Sequence, residues 1–162
     1  MTVIGIDPGI TGAIAVWNGK QLQVHKMPVV SLKIGKSNRK SVSPPMVAAL
    51  LQEIVGSKRG GELPYVFIEK VHMMPKMGGA ASFSFGTGYG VLLGAIAMAG
   101  LSYTAVPFQT WHKVMVGVKG KDAARERAAN LFPTYRELFA AKNSDGIADA
   151  ALIAKYGRKT LK

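Results

Sequence analysis

The chain opens with Thr2-Val3-Ile4-Gly5-Ile6-Asp7-Pro8-Gly9, an apolar run that ends in an acid and a turn. The run predicts a buried strand, and Pro8-Gly9 predicts the turn that follows it. Strand patterns continue at 12–17 and 21–27, and Asn18-Gly19 between them is a strong hairpin signal. The opening therefore predicts a three-stranded antiparallel meander, with Asp7 at the end of its first strand.

The C-terminal two thirds of the chain alternate helical and strand patterns. After Ser43, Pro44 and Pro45 occupy the first turn of a helical pattern whose apolar residues recur every three or four positions up to Gly56. Strands are predicted at 65–68 and 101–106, and helices at 83–99, 109–115, 123–132 and 145–156, the last ended by Gly157. This order predicts an α/β fold, a mixed sheet of about five strands with helices on both faces.

The segment 29–43 is basic and shows no pattern of a buried core. It contains Lys33, Lys36, Arg39 and Lys40 and no acid. We expect an exposed, mobile loop there. Its charges would attract a polyanion, and the alternative is that they only keep the surface soluble.

The chain has 162 residues, 48% of them hydrophobic and 19% charged, which is the balance of a single folded domain spanning 1–162. The absence of cysteine excludes disulfides, thiolate zinc sites and cysteine nucleophiles. A net charge of +12 favours a nucleic acid partner over an anionic membrane or mere solubility. The longest apolar stretch, 91–99, is too short to span a membrane, so we expect a soluble, cytoplasmic protein with no membrane partner.

Three of the nine acids lie in strongly apolar segments. Asp7 and Glu69 end predicted strands, and Asp149 lies among the alanines of the last helix. Buried carboxylates that lie together repel one another and lose hydration, so they take up protons unless a cation compensates them. Magnesium prefers such oxygen ligands. Asp145 lies one helical turn before Asp149 on the same face and is a fourth candidate ligand.

The joint placement of these four acids favours a metal site over four separate structural roles. Asp149 in particular has no capping role, because it lies in the middle of a helix. The structural roles open to the others are a cap of the Pro8-Gly9 turn by Asp7, an N-cap by Asp145, and an ion pair of Glu69 with Lys70 or Arg59.

Three motifs follow one another in order: Ile4-Gly5-Ile6-Asp7-Pro8-Gly9, then Phe67-Ile68-Glu69 with Gly86-Thr87-Gly88-Tyr89-Gly90, then Asp145-Gly146-Ile147-Ala148-Asp149-Ala150. Between the second and third motifs stand Pro107, Trp111, Lys119-Gly120-Lys121 and Leu131-Phe132-Pro133. In this order and spacing the motifs resemble the RuvC-type Holliday junction resolvases, particularly phage-borne members. The similarity spans nearly the whole chain.

The resemblance implies an RNase H-like fold, a homodimer, and magnesium-dependent nicking of two symmetry-related strands of a four-way DNA junction. Two Mg²⁺ ions per site, which Mn²⁺ could replace, would activate a water and stabilise the departing 3′ oxygen, leaving a 5′-phosphate and a 3′-hydroxyl. The implied location is the cytoplasm of a bacterium or of a phage-infected host cell.

The resemblance also assigns the acids. Asp7, Glu69 and Asp149 match the family's catalytic carboxylates by position. The family's fourth carboxylate lies three residues before the last, where this chain has Gly146. Asp145 is one residue earlier on the same helical face and can take its place.

DNA contacts follow from the same resemblance. Lys119 and Lys121 correspond to a basic residue that precedes the family's final acids, and would neutralise a phosphate, unless they are an ordinary solvated pair. Trp17 and Trp111 are expected in the core, and Phe83 and Phe85 at a dimer interface. The further candidates are Lys33, Lys36, Arg39 and Lys40 for the junction arms, and His72, Met73 and Lys76 after Glu69, where the family carries a wedge into the junction centre.

Two other functions stay open. Another RNase H-like nuclease, acting on a flap, an RNA–DNA hybrid or a ribosomal RNA precursor, would use the same carboxylates. A non-catalytic DNA-binding protein would use the acids structurally, so Asp7→Asn would lower its stability and magnesium would have no effect. Product analysis on junction, flap and hybrid substrates separates the two nucleases, and magnesium dependence separates both from the binding protein.

Overall fold

Five strands open the chain, helices and strands alternate from α1 to β7, and helices complete it, which is an α/β fold as expected. The computed structural model describes residues 1–35, 37–56, 61–72, 78–118, 120 and 122–161. Its strands are β1 Val3–Asp7, β2 Ala13–Trp17, β3 Leu22–Lys26, β4 Val29–Ile34, β5 Ser37–Val42, β6 Tyr65–Lys70 and β7 Tyr103–Pro107. Its helices are α1 Pro44–Gly56, α2 Gly79–Met98, α3 Phe108–Met115, α4 Ala123–Leu131 and α5 Asp145–Thr160, and a 3₁₀ helix spans Pro133–Phe139.

β1 is the central strand of a mixed five-stranded sheet with the order β3-β2-β1-β6-β7. It pairs antiparallel with β2, where Asp7 lies opposite Ala13, and parallel with β6, where Ile6 lies opposite Ile68. β7 is parallel to β6. The predicted meander and the predicted five-stranded mixed sheet are both confirmed.

The sheet separates two hydrophobic cores, because successive side chains of a strand point to opposite faces. Ile4 and Ile6 of β1 pack with α1 and α2, whereas Val3 packs on the other side with α3, α4 and α5. Helices therefore cover both faces, as predicted. β1 is therefore buried from both sides, and Asp7 stands at its end.

α5 packs directly on the sheet because two glycines leave room for it. A Cβ on Gly5 would lie 2.3 Å from the carbonyl oxygen of Ala150, and one on Gly157 would lie 2.3 Å from the ring of Phe67. The prediction that Gly157 ends the last helix is wrong, since α5 continues to Thr160. A helical glycine costs about 1 kcal/mol relative to alanine, and here it avoids a clash between helix and sheet.

The basic segment 29–43 is a β-hairpin, so the prediction of a mobile loop is wrong. β4 and β5 pair antiparallel from Val29 opposite Val42 onwards, and Gly35 turns the chain with a φ of 62°. Apolar residues at 30, 32 and 34 alternate with polar residues, which is the period of a strand, but the surrounding charges hid that pattern. Val42 is buried and anchors the hairpin against Gly88 of α2.

α2 begins at Gly79, earlier than the predicted residue 83, and spans 20 residues. By length and composition alone α2 could cross a membrane, because the apolar segment is longer than the stretch 91–99 that the sequence analysis considered. This is weak support for a span, because packed helices of folded domains pass the same test. Its buried side contacts α1 and the sheet, while only 22% of its most apolar window is buried.

Candidate active site

Two acids lie side by side near the ends of neighbouring strands. Ile6 of β1 lies opposite Ile68 of β6, so the next residues are Asp7 and Glu69. Both isoleucines face α1 and α2, and strand side chains alternate between faces. Asp7 and Glu69 therefore face the other side of the sheet, towards α5.

Asp149 joins the pair from α5. The close packing of α5 on β1, which Gly5 permits, brings this part of the helix to the strand end. The pKa of Asp149 is raised from 3.8 to about 8, first by burial and then by the charges of neighbouring acids, which are Asp7, Glu69 and Asp145. The acids that the sequence predicted to converge are thus close enough to repel one another.

The pKa values of the two strand acids are raised by the same causes. Burial, followed by the charge of Glu69, raises the pKa of Asp7 to about 6, although the backbone N–H of Gly9 donates a hydrogen bond that lowers it. Asp7 thus also has the turn-capping role considered above. Burial raises the pKa of Glu69, and a hydrogen bond from the indole N–H of Trp111, 2.9 Å from Oε2, lowers it.

No Lys or Arg within the described residues forms an ion pair with the two strand acids or with Asp149. An ion pair of Glu69 with Lys70 was one of the alternatives and is not formed. Its other proposed partner, Arg59, lies outside the described residues. The charge of the cluster is therefore uncompensated in the described part of the chain.

Asp145 lies at the edge of the group and has a basic partner. Its Oδ1 is 2.9 Å from Nε of Arg125 in α4, and its side chain is 58% exposed. Arg125 also pairs with Asp122 at the start of α4. Ser144 occupies the N-cap position of α5, so the suggested N-cap role of Asp145 is wrong. The arginine instead ties the first turns of α4 and α5 together.

Gly146 stands where the RuvC-type pattern has its fourth acid. A Cβ there would lie 2.4 Å from the carbonyl oxygen of Thr11 and 2.9 Å from Oδ2 of Asp7. Any side chain at this position would therefore collide with the turn after β1. The missing side chain lets α5 begin directly against that turn, close to Asp7.

The chemistry of the acid group fits a hard divalent cation. Carboxylate oxygens are the ligands that Mg²⁺ and Mn²⁺ prefer, and a cation would compensate the repulsion that raises these pKa values. Within the described residues no three Asp, Glu or His side chains are already arranged so that they could hold a metal ion. Mg²⁺ does not require a set of protein ligands alone, since this ion keeps several waters and shares its coordination with substrate phosphates.

The predicted DNA-contacting residues are placed in part. Lys33, Arg39 and Lys40 are exposed on the hairpin, and His72 is exposed shortly after β6. The others lie outside the described residues, namely Lys36, Met73, Lys76, Lys119 and Lys121.

Two residues beside the acids were missed by the sequence analysis. Trp111 is a fully buried core residue as predicted, but its N–H is also bound to Glu69. The signal was available, because a buried indole N–H needs an acceptor. Arg125 contacts Asp145, and nothing in the sequence distinguishes it from the other basic residues of the chain.

Comparison with known proteins relates this architecture to junction resolvases. No family model matches the chain. The chloroplastic Holliday junction resolvase MOC1 of Chlamydomonas reinhardtii is 31% identical over 94 residues, which are 57% of this chain and 11% of that protein's length.

The structural matches extend over nearly the whole chain. The structure of Thermus thermophilus RuvC superposes with a TM-score of 0.57 at 19% identity, covering 99% of this chain and 97% of RuvC. A structure of T. thermophilus RuvC in complex with a Holliday junction substrate gives a TM-score of 0.62 at 17% identity, covering 98% of this chain and 96% of RuvC. The chain therefore has the RNase H-like fold of the RuvC Holliday junction resolvases, as its motifs predicted.

Proposed function

We propose that the protein is a structure-selective endonuclease that resolves four-way DNA junctions by paired phosphodiester hydrolysis, leaving 5′-phosphate and 3′-hydroxyl ends. The observation that carries this proposal is the group formed by Asp7, Glu69 and Asp149 on a RuvC fold. These acids repel one another, and a bound cation would compensate that repulsion. The substrate class is supported by the solved RuvC complex with a Holliday junction and by the curated resolvase relative.

Asp7, Glu69 and Asp149 would hold two divalent ions, which, when bound, supply an activated water and stabilise the leaving oxygen. Asp7 is proposed as the shared ligand, because it ends the central strand β1, next to the strand that carries Glu69. The N–H of Gly9 orients its carboxylate. Asp145 would join the metal site only by leaving Arg125.

The hairpin offers a path for DNA away from the acids. Lys33 and Lys40 lie on the hairpin face that also carries Val42, since residues two apart on a strand share a face and Val29 pairs with Val42. Val42 in turn lines a cavity of about 280 Å³ together with Pro8 and Ile10, which belong to the turn that follows Asp7 in the chain. A phosphate backbone leaving the acids could therefore follow this basic face. Lys119 and Lys121 remain proposed phosphate contacts.

A homodimer through α2 is part of the proposal, because two symmetric cuts need two sites. Phe83 and Met98 are 79% and 84% exposed, which is unusual for apolar side chains of their size. Gly86, Gly90 and Gly94 recur every fourth residue on α2, with open space at each Cβ position. Such small residues let a second helix approach closely. A two-fold axis would place the same face of both copies in contact.

The decisive experiment incubates the purified protein and Mg²⁺ with a fixed four-way junction, a flap, an RNA–DNA hybrid and a linear duplex. We expect paired, ligatable nicks in the junction alone. Asp7→Asn should abolish cleavage and leave junction binding unchanged or tighter, because it removes a negative charge near phosphate. Glu53→Gln, on the exposed side of α1, is the matched control and should cleave normally.

Other outcomes would redirect the assignment. Cleavage of the flap or hybrid in place of the junction would indicate another RNase H-like nuclease. Binding without cleavage would indicate the non-catalytic DNA-binding protein, and magnesium-dependent nicking by Asp7→Asn would contradict the acid site itself. A cytoplasmic location in a bacterium or in a phage-infected host cell is proposed together with the junction activity.

A further inference from the structure

Trp111 is the buried residue in direct contact with the candidate site that the proposed function leaves without a role. Its side chain is 0% exposed, and its Nε1–H donates a hydrogen bond to Oε2 of Glu69 over 2.9 Å. An indole has this one donor and no acceptor. The single hydrogen-bond donor of the Trp111 side chain is thus bound to one carboxylate oxygen of Glu69, a candidate metal ligand.

The fold brings these two residues together from separate elements. Glu69 of β6 lies opposite Val106 of β7, and the chain passes from β7 through Pro107 straight into α3. Trp111 lies one turn into α3, which brings its side chain back to Glu69 near the end of β6. Phe108 packs edge-on against its ring at 5.4 Å between centroids. The indole is therefore fixed by packing on α3 independently of the hydrogen bond.

A neutral donor has a particular consequence beside a metal site. An Arg or Lys at this position would compensate the charge of Glu69 and compete with a cation. The indole N–H instead orients the carboxylate while leaving its negative charge available. The indole binds Oε2, and no other residue in the described part of the chain donates a hydrogen bond to the carboxylate of Glu69. Hydrogen bonds of this kind to ligating carboxylates hold metal sites in shape.

We propose that Trp111 is a positioning residue that holds the Glu69 carboxylate ready to bind a divalent ion together with Asp7 and Asp149. This inference rests on the proposed function, since it presupposes that these acids bind metal. It predicts that removing the N–H weakens metal binding even when the shape of the core is kept.

The test measures Mn²⁺ binding by the full chain, using the electron paramagnetic resonance signal of free Mn²⁺. Trp111→Phe should weaken Mn²⁺ binding by roughly 10–100-fold, which is the usual effect of losing such a contact. Trp17→Phe is the matched control, because Trp17 packs edge-on against Phe132 and contacts none of the acids. Its Mn²⁺ affinity should equal that of the wild type.

A second variant separates the hydrogen bond from core packing. The chain has two tryptophans, so in the Trp17→Phe background a benzothienyl analogue of tryptophan enters position 111 alone. The analogue keeps the ring shape and lacks the N–H. We expect it to reproduce the loss of Mn²⁺ affinity with little change in the thermal unfolding midpoint.

The results distinguish this inference from the proposed function. If the wild type binds Mn²⁺ in a manner that Asp7→Asn abolishes, and the analogue binds it equally well, the role of Trp111 is overturned while the metal site stands. If Mn²⁺ binding by the wild type does not depend on Asp7, the proposed function fails and the inference fails with it. Weaker binding by both Trp111 variants, with normal binding by Trp17→Phe, supports both.

Discussion

At the scale of one residue, the ionised carboxylate of Asp149 lowers the stability of the folded protein. Its pKa rises from 3.8 to about 8 because of burial and the neighbouring acids. Between these two pH values the folded protein binds a proton that the unfolded chain has released. Stability is therefore fully present below the lower value and is lost as the pH rises towards the higher one. Without a cation, the ionised group destabilises the fold.

Asp149→Asn should remove this penalty. In the presence of a chelator near pH 8, we expect its free energy of unfolding to exceed that of the wild type by an amount on the order of 5 kcal/mol. Well below pH 3.8 the two proteins should be equally stable, because the aspartate is then neutral in both the folded and the unfolded state. Urea denaturation at both pH values measures the difference. A less stable variant near pH 8 would mean that the acid is structural.

Gly146 makes a second prediction at this scale. Gly146→Ala would place a Cβ 2.4 Å from the carbonyl oxygen of Thr11 and 2.9 Å from Asp7. α5 must then shift away from the turn, so we expect a loss of about 1–3 kcal/mol in stability and a loss of junction cleavage. Thermal unfolding and the nicking assay measure these effects. Gly56→Ala, where a Cβ meets nothing within 4 Å, is the control, and an unshifted midpoint for Gly146→Ala would refute the packing argument.

At the scale of elements, the β4–β5 hairpin sets the positions of several basic side chains. Lys33 pairs with Asn38, and Lys40 pairs with Ser31, so both lysines lie on one face of the hairpin. The same face carries Val42, which lines a cavity together with Pro8 and Ile10 of the turn after β1. A rigid two-stranded element holds these charges in place, whereas a loop would spread them over many positions.

Neutralising this face should weaken junction binding in a salt-dependent way. For Lys33→Ala with Lys40→Ala, the slope of log affinity against log salt should fall by about 2, since each phosphate contact contributes about 0.9. Lys20→Ala with Lys159→Ala removes the same charge at exposed positions away from the hairpin and should leave the slope nearly unchanged. Equal slopes for both double variants would show that only net charge matters. Gel-shift titrations over a range of salt concentrations provide the slopes.

At the scale of the whole molecule, the exposed face of α2 is the proposed contact between two copies of the chain, and it would set how their two acid clusters are related. Its apolar residues are open to solvent in one chain, although its buried side is well packed. Exposed apolar surface of this kind marks an interaction site. The single-domain organisation over 1–162 remains a prediction, and a dimer of such units would carry two acid clusters.

Gly90→Leu should dissociate this dimer without unfolding the chain. A leucine would keep a second helix at a distance, whereas the single chain has open space at Gly90. We expect the dimer dissociation constant to rise at least about tenfold, which is about 1.4 kcal/mol. Light scattering measures the mass, with Gln52→Leu on the exposed side of α1 as control. An unchanged mass for the Gly90 variant would place the interface elsewhere.

Much of the fold and of the candidate site follows from local sequence. The meander, the helix after Ser43 and the later strands were predicted correctly, because apolar periodicity and turn residues act over a few positions. The convergence of the acids followed from their neighbours, since an acid flanked by core residues is carried into the interior with them. The hairpin at 29–43 was missed because its alternation of apolar and polar residues is interrupted by many charged residues.

The sequence by itself determined the five strands of the mixed sheet, the α-helices that cover it and which acids converge, because these depend on residues close together along the chain. Only the tertiary structure decided that Trp111 binds Glu69, 42 residues away, and that Arg125 holds Asp145. It also decided that Gly157 stays within α5, against Phe67. The physical reason is that the packing of helix on sheet sets the hydrogen bonds and close contacts between residues distant in the chain. The local periodicity of the sequence does not predict them.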